Sequence, residues 1–181
     1  MFSQPSIAKC SLGQITSYGL YGAAATRLIR DHASKNSIIW PIANRALYVP
    51  FYLDEEFIVN SIWYLAGSDN TGNFDIGIYT RPGNTKIVSS GSTALGTVSV
   101  INRFTPTNPV FLIPGNYWIA MAVDNVTGST DRIELTNALN GDSSGVLMEA
   151  SAFPLPATAT PVQQTTTFTI PIVGLYAPGI Y

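Results

Sequence analysis

Hydrophobic and polar residues alternate with a period of two along most of this chain, which is the pattern of half-buried β-strands. The clearest case is NTGNFDIGIYTRPGNTKIVSSGS at residues 70–92, where Phe74, Ile76 and Ile78 fall on one face. A Pro-Gly pair follows in the order that a tight turn prefers, and TKIVSS then returns. The pattern therefore predicts a β-hairpin over residues 74–90.

Two further segments predict strands that each bury one face. They are RALYVPFYL (residues 45–53) and VFLIPGNYWIAMAVDN (residues 110–125), and the second is expected to hold two strands around another Pro-Gly turn. The side chains expected to share a face are Leu47, Val49, Phe51 and Leu53 in the first segment, and Tyr117, Ile119, Met121 and Val123 in the second.

Shorter or less regular segments complete the strand predictions. FIVNSIWYL (residues 57–65) is interpreted as one strand, and GTVSVINRF (residues 96–104) as another. The expected faces are Phe57, Val59, Trp63 and Leu65 in the first segment, and Val98 and Val100, directed inward, in the second. DRIEL and GVLMEAS are further candidates, and TTTFTIPIVGL offers a closing strand.

These segments amount to about eight to ten short strands with turn signals every 8–12 residues, a spacing typical of all-β sandwiches and jelly rolls. We therefore predict an antiparallel β-sandwich of jelly-roll topology over residues 45–181. Residues 1–44 carry small, helix-compatible residues and predict an N-terminal arm or short helix. A Pro/Thr-rich strap over residues 152–168 precedes the last strand, and it either crosses its own sandwich or adds to a neighbouring subunit.

The composition of the chain limits the kinds of molecule that the protein is expected to bind. Hydrophobic residues make up 46% of the chain and charged residues only 11%, against about 25% in a typical domain. A surface with so few charges carries little penalty when another subunit buries it. Only Arg27, Arg30 and Lys35 cluster among the basic residues, and the net charge is −2, so we expect no nucleic-acid partner.

No apolar run approaches the ~20 residues that cross a bilayer, so we expect no membrane partner. The first residues lack a basic start followed by an apolar core, which indicates synthesis in a cytoplasm.

Residues suited to catalysis are few. The chain has one cysteine, Cys10, and one histidine, His32, and it contains no H-E-x-x-H motif. The carboxylates of residues 54–56 stand together where a solvated turn is expected. We therefore predict a non-enzymatic protein with no catalytic residues and no cofactor.

Two kinds of binding site are hypotheses. SDNTGNFD brings oxygen ligands for calcium within a short loop, at Asp69, Asn73 and Asp75, although the same residue types favour plain turns. The loop at residues 124–131 has a similar composition. Aromatic side chains that stack on sugar rings would have to be exposed, and the alternative is that they lie in the core or in an interface. The glycan-binding candidates are Trp63, Tyr79 and Trp118.

The combination of GNFDIGIYTRPGNTKIVSSGS with the later FLIPGNYWIAMAVD resembles a recurrent module of tailed-bacteriophage virion proteins, over roughly residues 45–135. The resemblance implies a structural role as a head decoration protein, a head fibre or a minor tail protein. It implies capsid or tail proteins of the same virion as partners, and a homo-oligomer with a trimer as the expected form. PG-x-Y-x-x-A strands also occur in carbohydrate-binding modules, so a tail adhesin that binds glycan is the alternative.

Overall fold

The computed structural model describes residues 13–14, 20–22, 36–134, 144–165 and 168–177. Over these residues the protein is all-β. Its strands are β1 (Gly13–Gln14), β2 (Leu20–Gly22), β3 (Asn36–Ile39), β4 (Ala46–Leu53), β5 (Phe57–Val59), β6 (Ser61–Leu65), β7 (Asn73–Arg81), β8 (Lys86–Ser89), β9 (Thr93–Ala94), β10 (Ile101–Phe104), β11 (Val110–Leu112), β12 (Gly115–Val123), β13 (Ser129–Glu134), β14 (Leu147–Glu149), β15 (Val162–Gln163), β16 (Thr169–Pro171) and β17 (Val173–Tyr176).

The strands form several antiparallel sheets. The large sheet has the order β15-β14-β4-β12-β7-β8, with β9 also paired to β7, and a second sheet has the order β1-β2-β17-β6-β10. A three-stranded sheet, β16-β13-β3, and a two-stranded ribbon, β11-β5, complete the described fold. The prediction of an all-β antiparallel sandwich is confirmed. Jelly-roll topology is not confirmed by this strand order, and neither is an N-terminal helix, because most of its predicted span lies outside the described residues.

The main core lies between the large sheet and the second sheet. Strands β4, β7 and β12 contribute every second residue to it, as the alternation predicts, and β6 and β17 face them. Its fully buried members include Leu47, Val49, Ile62, Tyr64, Ile76, Ile78, Ile119, Met121, Val123 and Leu175. The predicted faces of residues 45–53 and 110–125 are thus confirmed.

The hairpin predicted over residues 74–90 is formed by β7 and β8. The two strands of the hairpin pack so closely that position 77 has no room for a side chain. A Cβ added at Gly77 would lie 2.4 Å from the carbonyl oxygen of Val88. Around the second Pro-Gly pair, β11 and β12 are both strands, but β11 pairs with β5 instead of forming a hairpin with β12.

The strap crosses its own sandwich. Ala152, Leu155 and Ala159 are buried against the outer face of the large sheet, where they cover the side chains that alternate with the core residues. That outer face consists of Ala46, Tyr48, Tyr79, Trp118, Ala120 and Ala122. The large sheet is therefore buried on both faces over its central strands, and the interpretation of the strap as an arm for a neighbour is not needed to account for its apolar residues.

The prediction of one strand over residues 57–65 is wrong. A bend at Asn60 separates β5 from β6 and shifts the alternation by one residue. Val59 and Ile62 consequently both face the main core, whereas Trp63 packs on the opposite side of β6 with Ile172.

The inward orientation predicted for Val98 and Val100 is also wrong. The chain turns at residues 97–100, and β10 begins only at Ile101, so both valines are exposed by about 40% (38% and 44%). The side chain of Asn102 closes this turn by accepting from the N–H of Thr97 and donating to its carbonyl oxygen.

The ordered sandwich also includes residues from the predicted N-terminal segment. Strand β3 pairs with β13, and Trp40, which directly follows β3, is fully buried in the main core. Strands β1 and β2 extend the second sheet beyond β17. Alternation of apolar and polar residues did not predict these strands because each of them is only two to four residues long.

Candidate functional site

The two most exposed large apolar side chains of the described residues, Phe111 and Ile113, lie on strand β11 and directly after it, in the ribbon that β11 forms with β5. The inner face of the ribbon packs against the main core through Val59 and Leu112. Its outer face presents Ile58 and Phe111, which are 41% and 75% exposed, and Ile113, which directly follows β11, is 67% exposed. Phe111 stands directly opposite Ile58 in the register of the two strands. We call these three side chains the ribbon face.

The ribbon sits at one end of the sandwich. Strand β5 follows the end of β4, and β11 precedes the start of β12, so both lie where these central strands meet solvent. The N–H of Asn60 donates to the carbonyl oxygen of Tyr176, and the hydroxyl of Tyr117 donates to that of Ile113 (2.9 and 2.8 Å). These bonds hold the ribbon at a fixed position on the core.

The sequence analysis missed the ribbon face. Residues 110–113 are all apolar, and such a run is typical of a strand buried on both sides. The structure buries Leu112 and leaves Phe111 and Ile113 in solvent. The one feature of the sequence that could have indicated an exposed apolar face is that this run stands directly before a Pro-Gly pair, at the end of a predicted strand.

The acidic residues 54–56 border the ribbon face. They form the connection between β4 and β5, and all three are exposed, as predicted for a solvated turn. Glu56 directly precedes β5, and the β5–β11 register continued by one step places it opposite Ile113. The end of the sandwich thus combines an apolar face with a negatively charged rim.

The structure does not bring the calcium candidates together. Asp69 is exposed, and hydrogen bonds from the side chain and the backbone N–H of Thr71 lower the pKa of Asp69. The amide of Asn73 donates to the carboxylate of Asp124 at 2.9 Å, which ties the two candidate loops to each other. Over the residues described, no three His, Cys, Asp or Glu side chains are grouped so that they could hold a metal ion.

The third calcium candidate, Asp75, points away from this loop and is fully buried under the strap. Its carboxylate accepts from the N–H of Leu155 at 2.9 Å and from the hydroxyls of Ser90 and Ser89 at 3.2 and 3.4 Å. The alternation of β7 explains this position, because Asp75 lies on the face opposite to Phe74 and Ile76. Asp75 therefore anchors the strap.

The glycan-binding candidates are all buried, so they do not form the exposed row of aromatic side chains that the glycan-binding alternative requires. Trp63, Tyr79 and Trp118 are 2%, 0% and 3% exposed. Tyr79 and Trp118 lie beneath the strap, where Tyr79 donates to the carbonyl oxygen of Pro156. Trp63 belongs to the second sheet, and its indole N–H donates to the carbonyl oxygen of Leu175. These aromatics are core residues, the alternative stated for them above.

A shallow depression of about 480 Å³ lies between the edge strands of the two main sheets. It is lined by Val88, Ser89, Ser90 and residues 104–108. None of these lining residues carries an ionisable side chain, so the depression offers hydrogen bonds and apolar contacts only.

Cys10, His32 and the basic cluster at Arg27, Arg30 and Lys35 lie outside the described residues. Among the residues that are described, no helix is long and apolar enough to cross a membrane.

Comparisons of the chain with protein-family models, with curated proteins and with solved structures found no match. The resemblance to phage virion proteins therefore rests on the quoted sequence motifs alone.

Proposed function

We propose that this protein is a non-enzymatic structural protein of a tailed-phage virion, which binds a capsid or tail surface and other copies of itself. The observation that carries the proposal is the ribbon face, a set of large apolar side chains held in solvent at one end of the sandwich. Contiguous apolar surface that is rimmed by polar residues marks interaction sites in soluble proteins.

The ribbon face is suited to binding a partner because hydrogen bonds hold the backbone beneath it in place. Phe111 is the kind of large aromatic side chain that contributes most of the binding energy when a partner buries it. The backbone of the ribbon is fixed by its pairing and by the bonds at Asn60 and Ile113, so little conformational entropy is lost on binding. The low charge of the chain, 11%, reduces the cost of desolvating the surrounding surface.

The phage setting comes from the motifs in residues 70–92 and 111–124. In a particle, the same contact is repeated over many copies, so a weak single contact becomes a strong attachment. The glycan-binding alternative loses the aromatic residues on which it was based, and we do not propose it.

The test is the mass of the purified protein in solution, measured by light scattering across a range of concentrations. We expect an oligomer, with a trimer as the form suggested by analogy, and we expect the double variant Phe111→Ser/Ile113→Ser to be a monomer. The control is Ile87→Ser, since Ile87 is 39% exposed but lies on β8. Unchanged circular dichroism and melting temperature would establish that the double variant is folded.

Two outcomes would contradict the proposal. A wild-type protein that is monomeric at every concentration would exclude self-association. A double variant that keeps the wild-type mass would show that the contact lies elsewhere on the molecule.

A further inference from the structure

A second exposed apolar surface lies along β10, the edge strand of the second sheet. Ile101 is 40% exposed, and Val98 and Val100 in the preceding turn are exposed to a similar degree. Arg103 is also exposed, and it lies on the same face of β10 as Ile101, because strand residues two positions apart share a face. We call these four side chains the β10 patch.

The backbone of the β10 patch is held in place, as that of the ribbon is. The carbonyl oxygen of Val100 accepts from the N–H of Ala66 at 3.0 Å, which ties the turn to the end of β6. The guanidinium carbon of Arg103 lies 4.6 Å from the centre of the Tyr176 ring, so this side chain packs on an aromatic neighbour. Little order would have to be gained when a partner covers the patch.

Strand β10 is paired on one side only. It pairs with β6, and no other strand of the described residues pairs with it. An edge strand offers unpaired backbone N–H and C=O groups to other molecules, and proteins protect such edges with charges or with a covering segment. Arg103 is the only charged residue of β10. The edge and its apolar side chains are therefore suited to being covered by another molecule.

The β10 patch and the ribbon face carry opposite charges. Residues 54–56 give the ribbon face its acidic rim. Of the basic side chains in the described part of the chain, only Arg81 and Arg103 are exposed rather than buried or half-buried. Arg81 ends β7 beside the start of β12, so it lies at the ribbon's own end of the sandwich. Arg103 is the exposed cation that lies elsewhere, and it borders apolar side chains.

The two surfaces lie apart on one sandwich. Strand β6 begins beside the ribbon, and Ile101 pairs with Leu65 at the far end of β6. A molecule therefore cannot cover its own β10 patch with its own ribbon face. A contact between two ribbon faces would use the same surface on both copies and would bring two acidic rims together, which is unfavourable for like charges.

We propose that copies of this chain join head to tail, with the ribbon face of one copy bound to the β10 patch of the next. This inference rests on the proposed function and names the partner surface for self-association. In the contact, the apolar side chains of the two surfaces face each other, and Arg103 lies among the carboxylates of residues 54–56. Such a contact closes into a ring, as a trimer requires, if the rotation between copies allows it, and otherwise continues as a filament.

The experiment mixes two variants, each of which lacks one of the two surfaces. Phe111→Ser/Ile113→Ser removes the ribbon face and keeps the β10 patch, and Val100→Ser/Ile101→Ser does the reverse. We expect each variant alone to be a monomer by light scattering. Their equimolar mixture should form a complex of twice the monomer mass, because one intact ribbon face and one intact β10 patch remain between the two chains.

All four substituted side chains are exposed, so both variants should fold, and circular dichroism and the melting temperature check this. The control is Val162→Ser. Val162 is 56% exposed, but it lies on β15, an edge strand of the large sheet. This variant should assemble as the wild type does.

Charge reversal tests the same contact without removing apolar side chains. Arg103→Glu should weaken self-association by about two- to fivefold, because it places a carboxylate against the acidic rim. Adding Glu56→Lys to that variant should restore the wild-type association, since each contact then joins opposite charges again. Glu56 is suited to this reversal because the continued register places it opposite Ile113.

The outcomes separate this inference from the proposed function. A wild-type protein that is monomeric at every concentration would overturn both. Suppose instead that the wild type assembles through Phe111 and Ile113. If Val100→Ser/Ile101→Ser then assembles as the wild type does, or if the mixture of the two variants stays monomeric, only the head-to-tail contact is overturned. Failure of Glu56→Lys to restore the association of Arg103→Glu would also contradict it.

Discussion

At the scale of single residues, hydrogen bonds allow the polar atoms of the aromatic side chains beneath the strap to be buried. Tyr48 packs edge-on against Tyr79 and Trp118, with ring centres 5.5 and 6.5 Å apart. The polar atom of each ring also has a partner: Tyr48 donates to Glu149, and Trp118 to Asn84. A tyrosine or tryptophan whose N–H or O–H is satisfied can be buried at little cost, and these rings behave as core residues.

We expect Trp118→Ala to lower the free energy of unfolding by about 3–5 kcal/mol, because it removes a large side chain that is buried between the sheet and the strap. The matched control is Phe111→Ala, which truncates an aromatic that is 75% exposed and should change the stability of the isolated chain by no more than about 0.5 kcal/mol. Denaturant unfolding of both variants tests this. Equal effects would mean that Trp118 is not a core residue.

The burial of Trp118 could not be predicted from its own strand. Alternation in β12 correctly assigns Ile119 and Met121 to the core and places Trp118 on the opposite face. A sheet face is open or covered depending on distant parts of the chain, and here the cover is the strap. Local pattern gives the face of a side chain, whereas tertiary packing gives its exposure.

At the scale of elements, the strap is held at one residue, Leu155, through both its N–H and its carbonyl oxygen. The N–H of Leu155 donates to Asp75, and the carbonyl oxygen of Leu155 accepts from the ammonium group of Lys86 at 2.7 Å. The N–H of Ala159 also donates to the carbonyl oxygen of Asn84. An acid and a base on neighbouring strands thus fix the position of the strap along the sheet.

We expect Asp75→Asn to destabilise the fold by about 1–3 kcal/mol. The carboxylate accepts from Leu155, Ser89 and Ser90, and an amide would turn donor hydrogens toward some of these donors. The loss should appear first as faster hydrogen exchange at the N–H of Leu155. Asp54→Asn serves as the control, since Asp54 is exposed. Unchanged exchange at Leu155 in Asp75→Asn would rule out the anchoring role.

The same scale shows what sequence pattern could predict of the fold. The β7–β8 hairpin and the buried faces of β4 and β12 follow from alternation, because these strands are long and regular. The bend at Asn60 and the turn at residues 97–100 do not, because apolar residues continue through both. Ser99 even adopts a positive φ of 57°, a conformation for which serine gives no sequence signal.

The candidate site was less accessible to prediction than the fold. The ribbon face depends on Phe111 and Ile113, which look like core residues in the sequence because their neighbours are also apolar. Only the pairing of β11 with β5, instead of with β12, leaves this face uncovered. The acidic rim at residues 54–56 was predicted correctly as exposed, but not as part of a surface.

At the scale of the whole molecule, buried tyrosines make stability depend on alkaline pH. Burial raises the pKa of Tyr48 and of Tyr79 above the ordinary value of 10.0. The hydrogen bond to Glu149 and its charge add to the effect at Tyr48, and the charge of Asp75 adds to it at Tyr79. Both hydroxyls therefore remain protonated in the folded protein at pH values where those of the unfolded chain ionise.

The sign of the pH dependence follows from this difference. The stabilising contribution is fully present below pH 10.0, and it is lost as the pH rises further, because the unfolded state releases protons that the folded state retains. Each such tyrosine lowers the folding equilibrium constant by up to about tenfold per pH unit in that range. We expect a steep fall in the free energy of unfolding above pH 10, with tyrosinate absorbance appearing together with unfolding.

The Tyr79→Phe variant distinguishes the loss of stability through tyrosine ionisation from other causes of unfolding at alkaline pH. It removes one of the two hydroxyls and its bond to Pro156, so it should be less stable than the wild type at neutral pH but lose stability less steeply above pH 10. Parallel curves for the two proteins would contradict the assignment. So would a wild-type protein in which these tyrosines ionise near pH 10 while the chain remains folded, since ionisation of a side chain beneath the strap requires the strap to leave the sheet.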